Sequence, residues 1–389
     1  MKKMNGIPKT VIKLGFLSLF TDMSSEMIFP LLPVFLASLP GGGPLVLGII
    51  EGIAESTASL LKLVSGLWTD KIKKRTPFVT AGYGLASVVR PLIAFAYVWP
   101  VVLVLRFLDR VGKGLRSSPR DALIAESVLP GKRGAAFAFQ RMMDHTGAVT
   151  GPAIAAILMG LAGFSIRHVM MFAAVPSIVV IAIITTLKEP AKSDTVTSPE
   201  ESYPEHSIVT RDYSLLLLAV FVFTLGNSTD AFLLMRLSEA GVATHYVATL
   251  WGFHHLLKIA GAWIGGHFSD KFGRKTLMFT GFGLYAFIYA LFGIFESENI
   301  LMCVFIVYGL SIGILEPTER AWVSELSGTG KHGTAFGLYH AAKGFGALPA
   351  SIMFGLFWIK FGQFTAFMTG AMLALAAAGV VVFIKEKRE

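Results

Sequence analysis

Acidic and basic side chains lie inside long apolar segments of this sequence, where a membrane-spanning helix would ordinarily exclude them. The first such segment contains Asp22 and Glu26, four residues apart and therefore on one face of a helix. A charged side chain at the centre of a bilayer costs about 2.5–3.5 kcal/mol on insertion scales. Such residues therefore persist only if they pair with one another or line an aqueous cavity. Buried charges of this kind indicate reversible protonation and the binding of charged solutes.

Helical periodicity, at about 100° per residue, collects these residues onto shared faces. Glu51 and Glu55 lie one turn apart in the second apolar segment, as Arg106 and Arg110 do in the fourth. A carboxylate in a dry cavity favours its protonated form, which suits proton exchange near neutral pH. The predicted proton-coupling residues, with Glu26 and then Asp22 as first choices, are Asp22, Glu26, Glu51, Glu55 and Asp144. The predicted substrate-binding residues are Arg106, Arg110, Arg141, Trp251, His254, His255, Lys258, Tyr339, His340 and Lys343.

Other chemistries have less support. Adjacent His254 and His255 lack the further ligands at fixed spacing that a metal site needs, so we predict no metal and no cofactor. A membrane-embedded enzyme would need a nucleophile–base set or repeated histidine boxes, and the sequence has neither. No feature of the sequence favours a receptor that does not transport a solute. We therefore predict that the protein is not an enzyme.

The elements that position these residues follow from composition. Hydrophobic residues make up 54% of the 389, charged residues make up 15%, and mean hydropathy is +0.65. A soluble chain carries about 25% charged residues. The composition predicts an all-α protein whose solvent is the lipid bilayer, with twelve apolar segments of spanning length. The net charge of +9 comes from short loops between these segments, which argues against nucleic-acid binding.

One polar segment, rich in Pro, Ser, Thr and Glu, divides the spans into six and six. We predict an N-terminal six-helix bundle at residues 1–187, a cytoplasmic linker at 188–213 and a C-terminal six-helix bundle at 214–389. Lys and Arg concentrate at the termini, in the linker and in alternate loops, so the positive-inside rule predicts that both termini are cytoplasmic. The sequence thus predicts a multi-pass protein of the cell inner (plasma) membrane, which we expect to act as a monomer.

An internal repeat relates the two bundles. Asp270 follows Asp70 by 200 residues, within similar stretches of sequence. The tripeptide Ser-Ser-Glu that ends at Glu26 superposes on Ser-Thr-Asp, which ends at Asp230, with an offset of 204. Landmarks in the same order at nearly constant spacing indicate a duplicated six-helix unit. Internal repeats are common in transporters that work by alternating access.

The segment Gly266-x-x-x-Asp270-Lys-x-Gly-Arg274-Lys resembles the signature between the second and third helices of the major facilitator superfamily. The segment from Gly66 through Asp70 resembles it as well, with a lysine in place of the later glycine. The resemblance covers the whole chain. It implies twelve membrane-spanning helices in two pseudo-symmetric bundles, a midplane binding site between them, and rocker-switch alternating access. It also implies a gating role for Gly66, Asp70, Gly266, Asp270 and Arg274.

Shorter motifs resemble those of exporters within the superfamily. Arg110-Val-Gly-Lys-Gly resembles a motif tied to proton coupling in antiporters, and Gly147-Ala-Val-Thr-Gly151-Pro resembles the core of the antiporter motif. Glu26, which precedes a Pro-x-x-Pro pair, matches the acid in the first helix of multidrug-type facilitators. Close helix packing through small residues is the alternative interpretation of the glycine motif.

The sequence favours proton-coupled secondary active transport of a small organic solute, with export preferred to import. The cationic candidates favour an anionic or zwitterionic metabolite or a siderophore. The alternatives are a multidrug/proton antiporter and a proton symporter that imports an organic anion. Two pairings between the halves are predicted: Glu51 or Glu55 with His340 or Lys343, and Asp144 with Lys258, His254 or His255.

Overall fold

A computed structural model describes residues 8–72, 74–127, 133–187, 210–326 and 332–385. The regular secondary structure of these residues is entirely helical. Eight stretches of the described chain are long and apolar enough to cross a membrane. The predicted linker at 188–213 lies almost wholly outside the described residues, so the boundaries of the two bundles stay a prediction.

The described residues of the first half form eight α-helices. In chain order these are α1 (Lys9–Ile28), α2 (Leu32–Ala37), α3 (Pro44–Ile72), α4 (Thr76–Leu92), α5 (Trp99–Glu126), α6 (Arg133–Gly160), α7 (Ile166–Phe172) and α8 (Ala174–Ile184). The second half forms α9 (Arg211–Gly226), α10 (Ala231–Glu239), α11 (Thr244–Phe272), α12 (Arg274–Ile294), α13 (Glu298–Leu326) and α14 (His332–Val382).

These helices combine into twelve spans, which confirms the predicted fold class. The pairs α1–α2, α7–α8 and α9–α10 each form one interrupted span. Helix α14 contains two spans, which meet where Gly362 adopts a left-handed φ of 84°. Hydropathy finds only eight stretches because α5, α6 and α11 are not apolar enough to be counted and because the two spans of α14 form one continuous stretch.

The same packing pattern occurs in both halves. The first span packs on the fifth in each half, α1 on α6 and α9 on α14. The second packs on the fourth, α3 on α5 and α11 on α13. The halves meet where α3 packs on α14 and α6 packs on α11. These contacts between the halves are called the seam below, and their pattern is the one expected for two pseudo-symmetric six-helix bundles.

The seam is tightest far from the chain termini. We call the side of the bundle where α1 begins and α14 ends the terminal side. On the opposite side, a methyl group at Gly48 would overlap the carbonyl oxygen of Ser351, and one at Gly355 would lie 2.7 Å from that of Pro44. Helix α2 packs on α10 there, and the buried apolar cluster is continuous between the halves. On the terminal side, first-half residues such as Val11 form a separate cluster.

Replacing Gly48 with Ala tests this close approach. Overpacking a tight contact costs roughly 1–3 kcal/mol, so we expect Gly48→Ala to lower the thermal unfolding temperature of the purified protein. Gly283→Ala is the matched control, because a methyl at that helical glycine meets nothing within 4 Å. The control should be neutral or slightly stabilising, since Ala exceeds Gly in helix propensity by about 1 kcal/mol. Equal effects of the two changes would contradict the packing argument.

Candidate functional site

A hydrogen bond joins the two halves beside the break in the first span. Trp251 of α11 donates its indole N–H to Oε2 of Glu26 on α1, at 2.6 Å. His255 lies one turn along α11, with Nε2 3.6 Å from the same oxygen. The ring of Phe29 lies 4.9 Å from that of Trp251. Glu26 is 20% exposed and, among the described residues, has no Lys or Arg within ion-pair distance. It is therefore a carboxyl between the halves whose partners are an indole, an imidazole and, at 3.4 Å, the hydroxyl of Ser25.

Asp22 lies one turn before Glu26 on α1. Its Cβ faces Gly147 of α6, where the absence of a side chain lets α6 approach the α1 backbone. Gly151 makes the same approach at Met23, so both glycines of the antiporter-like motif pack α6 against α1. Within the described part of the chain, the Asp22 carboxylate forms neither an ion pair nor a hydrogen bond. Asp22 is thus the second membrane-embedded carboxyl without a strong cationic partner.

The carboxylates of α3 and α5 whose side chains the structure describes are held in ion pairs. Arg106 donates from Nη2 to Oε1 of Glu51 at 2.6 Å, and its Nη1 lies 3.4 Å from Asp109. Arg90 of α4 closes the set with a 2.7 Å bond from Nε to Asp109. All four side chains are at most 3% exposed. This group, called the buried charge cluster below, ties α3, α4 and α5 together and leaves Glu51 little freedom to exchange protons.

Glu55 and Arg110 form a looser pair one turn further along the same helices. Nη2 of Arg110 lies 3.2 Å from Oε1 of Glu55, and the Glu55 side chain is 42% exposed. Position 55 lies near the middle of α3. An ion pair at that depth with an exposed carboxylate indicates that this face of α3 borders an open space between the halves.

The second half has its own ion pairs on the facing helices. Lys258 of α11 lies 3.3 Å from Glu316 of α13, which also accepts a 2.7 Å bond from Arg320. Lys343 of α14 lies 2.8 Å from Glu319, which accepts a 2.6 Å hydrogen bond from the Tyr339 hydroxyl. These pairs join α11, α13 and α14 within one half.

The predicted pairings between the halves are therefore wrong. Glu51 and Glu55 pair with Arg106 and Arg110 of their own half, and Lys343 pairs with Glu319. Each of these carboxylates finds its cation on a packed helix of its own bundle rather than across the seam.

Asp144 was also expected to reach across to α11, and it does not. It accepts a 2.6 Å hydrogen bond from Gln140 one turn earlier on α6, and the nearest cations are Arg141 at 3.7 Å and Arg120 at 3.9 Å. Arg141 is itself 51% exposed. Gln140 and Arg120 both donate to Ser18 of α1. Asp144 thus belongs to a polar network of the first half.

The histidines differ in their surroundings. His254 is 1% exposed and stacks between Trp251, at 4.9 Å, and Tyr308, at 5.3 Å. His340 lies beside Tyr339 on α14, with ring centroids 5.2 Å apart. His254 therefore extends an aromatic wall from Glu26 into the second half, while His340 faces α3.

Two lysines near this space were not among the predicted site residues. Lys62 of α3 and Lys113 of α5 form no ion pair with any described residue. Ser59 and Leu63 of α3 pack against Gly344 and Gly337 of α14, which places Lys62 beside His340. Helical phase could have identified Lys62, because it shares a face with Glu55. The lack of a partner, which only the structure shows, marks both lysines as available to a ligand.

The gating motif is only partly described. Gly66 packs against the Ser118 side chain of α5, and Arg274 donates a hydrogen bond from Nε to the Glu325 carboxylate of α13. The side chains of Asp70 and Asp270, together with the surroundings of Gly266, lie outside the described residues. The gating role of these five residues stays a prediction.

The chain has twelve spans in two related halves, and ionisable side chains gather where the halves meet. This is the architecture of a secondary transporter. The sequence profile of the Major Facilitator Superfamily matches residues 14–351 and 216–389. The chain therefore belongs to the Major Facilitator Superfamily and is a membrane transporter, not an enzyme.

Proteins of similar sequence support this assignment. A protein of Methanocaldococcus jannaschii named as an MFS-type transporter is 30% identical over 385 residues, which cover 97% of this chain and 95% of the relative. A Mycobacterium tuberculosis protein is 26% identical over 343 residues, 86% of this chain and 83% of its own.

Two transporter structures share the fold at low sequence identity. One is a POT family transporter in complex with 5-aminolevulinic acid, with a TM-score of 0.80, 12% identity and coverage of 98% of this chain and 97% of that one. The other is the nucleoside transporter NupG, with a TM-score of 0.78, 12% identity and coverage of 97% and 100%.

The buried charge cluster makes a prediction about stability. Arg106→Met leaves Glu51 buried and unpaired, which costs roughly 3–5 kcal/mol. The double variant Arg106→Met/Glu51→Gln removes that stranded charge and should be more stable than Arg106→Met alone. Thermal unfolding of the purified variants measures both effects. If the second change brings no recovery, Glu51 is not the partner that Arg106 neutralises.

Proposed function

We propose that this protein is a proton-coupled secondary transporter of a small organic anion or zwitterion. It works by rocker-switch alternating access, with Glu26 as proton carrier. The observation that supports this most is the Glu26–Trp251 hydrogen bond, which joins the halves through a carboxyl with no Lys or Arg partner among the described residues. Such a carboxyl is free to change its protonation state, and the change alters a contact between two moving bodies.

The charge balance of the seam favours a negatively charged solute. Glu55, Glu316 and Glu319 are each already paired with Arg110, Lys258, Arg320 or Lys343. Lys62 and Lys113 add two positive charges, and no described carboxylate lies within ion-pair distance of either. An anionic group of the solute would reduce the repulsion between these lysines and Arg320 and complete their hydrogen bonding.

Export by antiport is the direction we favour, on the glycine-rich resemblance of α6. Alternate Lys- and Arg-rich loops support placing the terminal side in the cytoplasm of a cell-membrane protein. Packing of the halves far from the terminal side is consistent with a cavity that is accessible from that side.

A multidrug/proton antiporter is the second candidate. The aromatic surroundings of Glu26 favour it, since Phe29, Trp251 and Phe305 lie near a carboxylate that would attract an organic cation. A thermal-shift screen of the purified protein with organic anions, siderophores and cationic drugs separates the candidates. We expect stabilisation by anions or zwitterions, and stabilisation confined to cationic drugs would favour the second candidate.

The anion interpretation makes a prediction about the two lysines. Losing one charge-assisted contact to the solute costs about 1.5–3 kcal/mol, so Lys62→Gln and Lys113→Gln should each weaken binding of the stabilising anion about tenfold or more. Lys360→Gln is the control, because Lys360 is exposed near the end of the eleventh span. Binding is measured by titration calorimetry with the anion that the screen selects. Unchanged affinity in both variants would exclude these lysines from the site.

The proton assignment has a separate test. In proteoliposomes that contain the selected solute, Glu26→Gln should abolish transport driven by a pH gradient but retain counterflow, because the neutral amide mimics a permanently protonated carboxyl. Glu298→Gln, at the exposed first residue of α13, should retain both activities. Gradient-driven transport that survives in Glu26→Gln would show that another group carries the proton.

A further inference from the structure

The carboxyl of Asp230 has surroundings that set it apart from Glu316 and Glu319, the acids in the middle of α13. Its Oδ1 accepts a 2.5 Å hydrogen bond from the Tyr308 hydroxyl of α13. Glu316 and Glu319 lie 3.3 Å and 2.8 Å from lysines, whereas Asp230 has no Lys, Arg or His within ion-pair distance among the described residues. A neutral hydroxyl stabilises a buried carboxylate far less than a cation does.

Asp230 also occupies the position in the repeat that corresponds to Glu26. An offset of 204 places Ser-Thr-Asp230 on Ser-Ser-Glu26. In each half the first span loses its regular α-helix beside this acid. Helix α1 passes into a tight helical turn at Phe29–Leu31, and α9 ends at Gly226 before α10 begins at Ala231. Interrupted spans with polar groups at the break are where membrane transporters place ion sites.

Both acids lie at the seam and are linked by aromatic rings. Helix α10 packs on α2 and α3 of the first half, so Asp230 lies beside the interface between the halves. Trp251, the partner of Glu26, stacks on His254, which stacks on Tyr308, the partner of Asp230. The two carboxyls therefore occupy equivalent places in the repeat, and each accepts a hydrogen bond from an aromatic side chain.

The groups around Asp230 leave it without a compensating charge in contact. The titratable and charged groups that act on it from the packed elements are Tyr308 of α13, Tyr285 and Tyr289 of α12, His255 and Lys258 of α11, and Glu55 of α3. Lys258 already contacts Glu316 and Glu55 contacts Arg110. The hydroxyls of Tyr285 and Tyr289 are neutral, and Tyr285 donates to Asn227.

We propose that Asp230 is a second proton-binding site, the counterpart of Glu26 in the other half, with Tyr308 as its positioning partner. When Asp230 is ionised, Tyr308 donates to the carboxylate. When Asp230 takes up a proton from water in the cavity, the pair becomes neutral. This inference deepens the proposed proton coupling but does not depend on Glu26, since each carboxyl is tested separately.

Infrared difference titration of the full-length protein in lipid nanodiscs tests the proposal, with the proton itself as the probe. Among the carboxyl components of the titration, we expect Asp230→Asn to remove one and Glu26→Gln to remove a different one. Asp212→Asn is the matched control at the exposed start of α9, and it should retain both. Tyr308→Phe should keep the amplitude of the Asp230 component and displace its midpoint, because the ionised form loses its donor.

The outcomes separate the two proposals. A spectrum of Asp230→Asn equal to that of the unaltered protein would overturn the inference, and so would a Tyr308→Phe midpoint that does not move. A component that responds to replacing choline with sodium at constant pH would identify a sodium site and overturn it as well. If only the Glu26 component is missing from the unaltered protein, the proposed function loses its proton carrier and the Asp230 assignment stands.

Discussion

The pairing of Arg106 with Glu51, and of Arg90 with Asp109, is the interaction on which the first half depends. Moving an isolated charge from water into a low-dielectric interior costs several kcal/mol even after the surroundings relax. These four side chains are almost completely buried and come from three different spans. Separating α3, α4 and α5 would leave them unpaired in the membrane. The three helices must therefore move together, and conformational change is directed to the seam.

This constraint divides the ionisable residues into two groups. The buried charge cluster, and the pairs that Glu316 and Glu319 make in the second half, are satisfied within one bundle and hold its helices together. Asp22, Glu26 and Asp230 lack strong cationic partners among the described residues, and Lys62 and Lys113 lack carboxylates. A group without a fixed partner changes its energy when a proton, a solute or the other half approaches. The unpaired groups are thus the ones that the proposed coupling would use.

The sequence predicts the fold well because the fold depends on local and repeated features. Span length, the offset of 200 residues between Asp70 and Asp270, and the loop signature are all visible in one dimension. Helical phase also places Glu26, Trp251 and the lysines on polar faces. Ion pairing is not local in this sense, because the partner of Glu51 lies 55 residues away. From the sequence alone, an ion pair between Glu55 and Lys343 is as plausible as the pairs that the structure contains. Asp230 could have been found from its equivalence to Glu26, but its lack of a cation is a three-dimensional fact.

The two sides of the seam explain how a small chemical change could be amplified. Contacts through Gly48 and Gly355 bring helix backbones together on the side opposite to the termini, and backbone contacts of such short range are either made or lost. The Glu26–Trp251 hydrogen bond lies between that side and the terminal side. In the proposed mechanism, a proton at Glu26 would alter this contact without requiring the halves to part first. The packed glycines would then favour one of two arrangements of the halves.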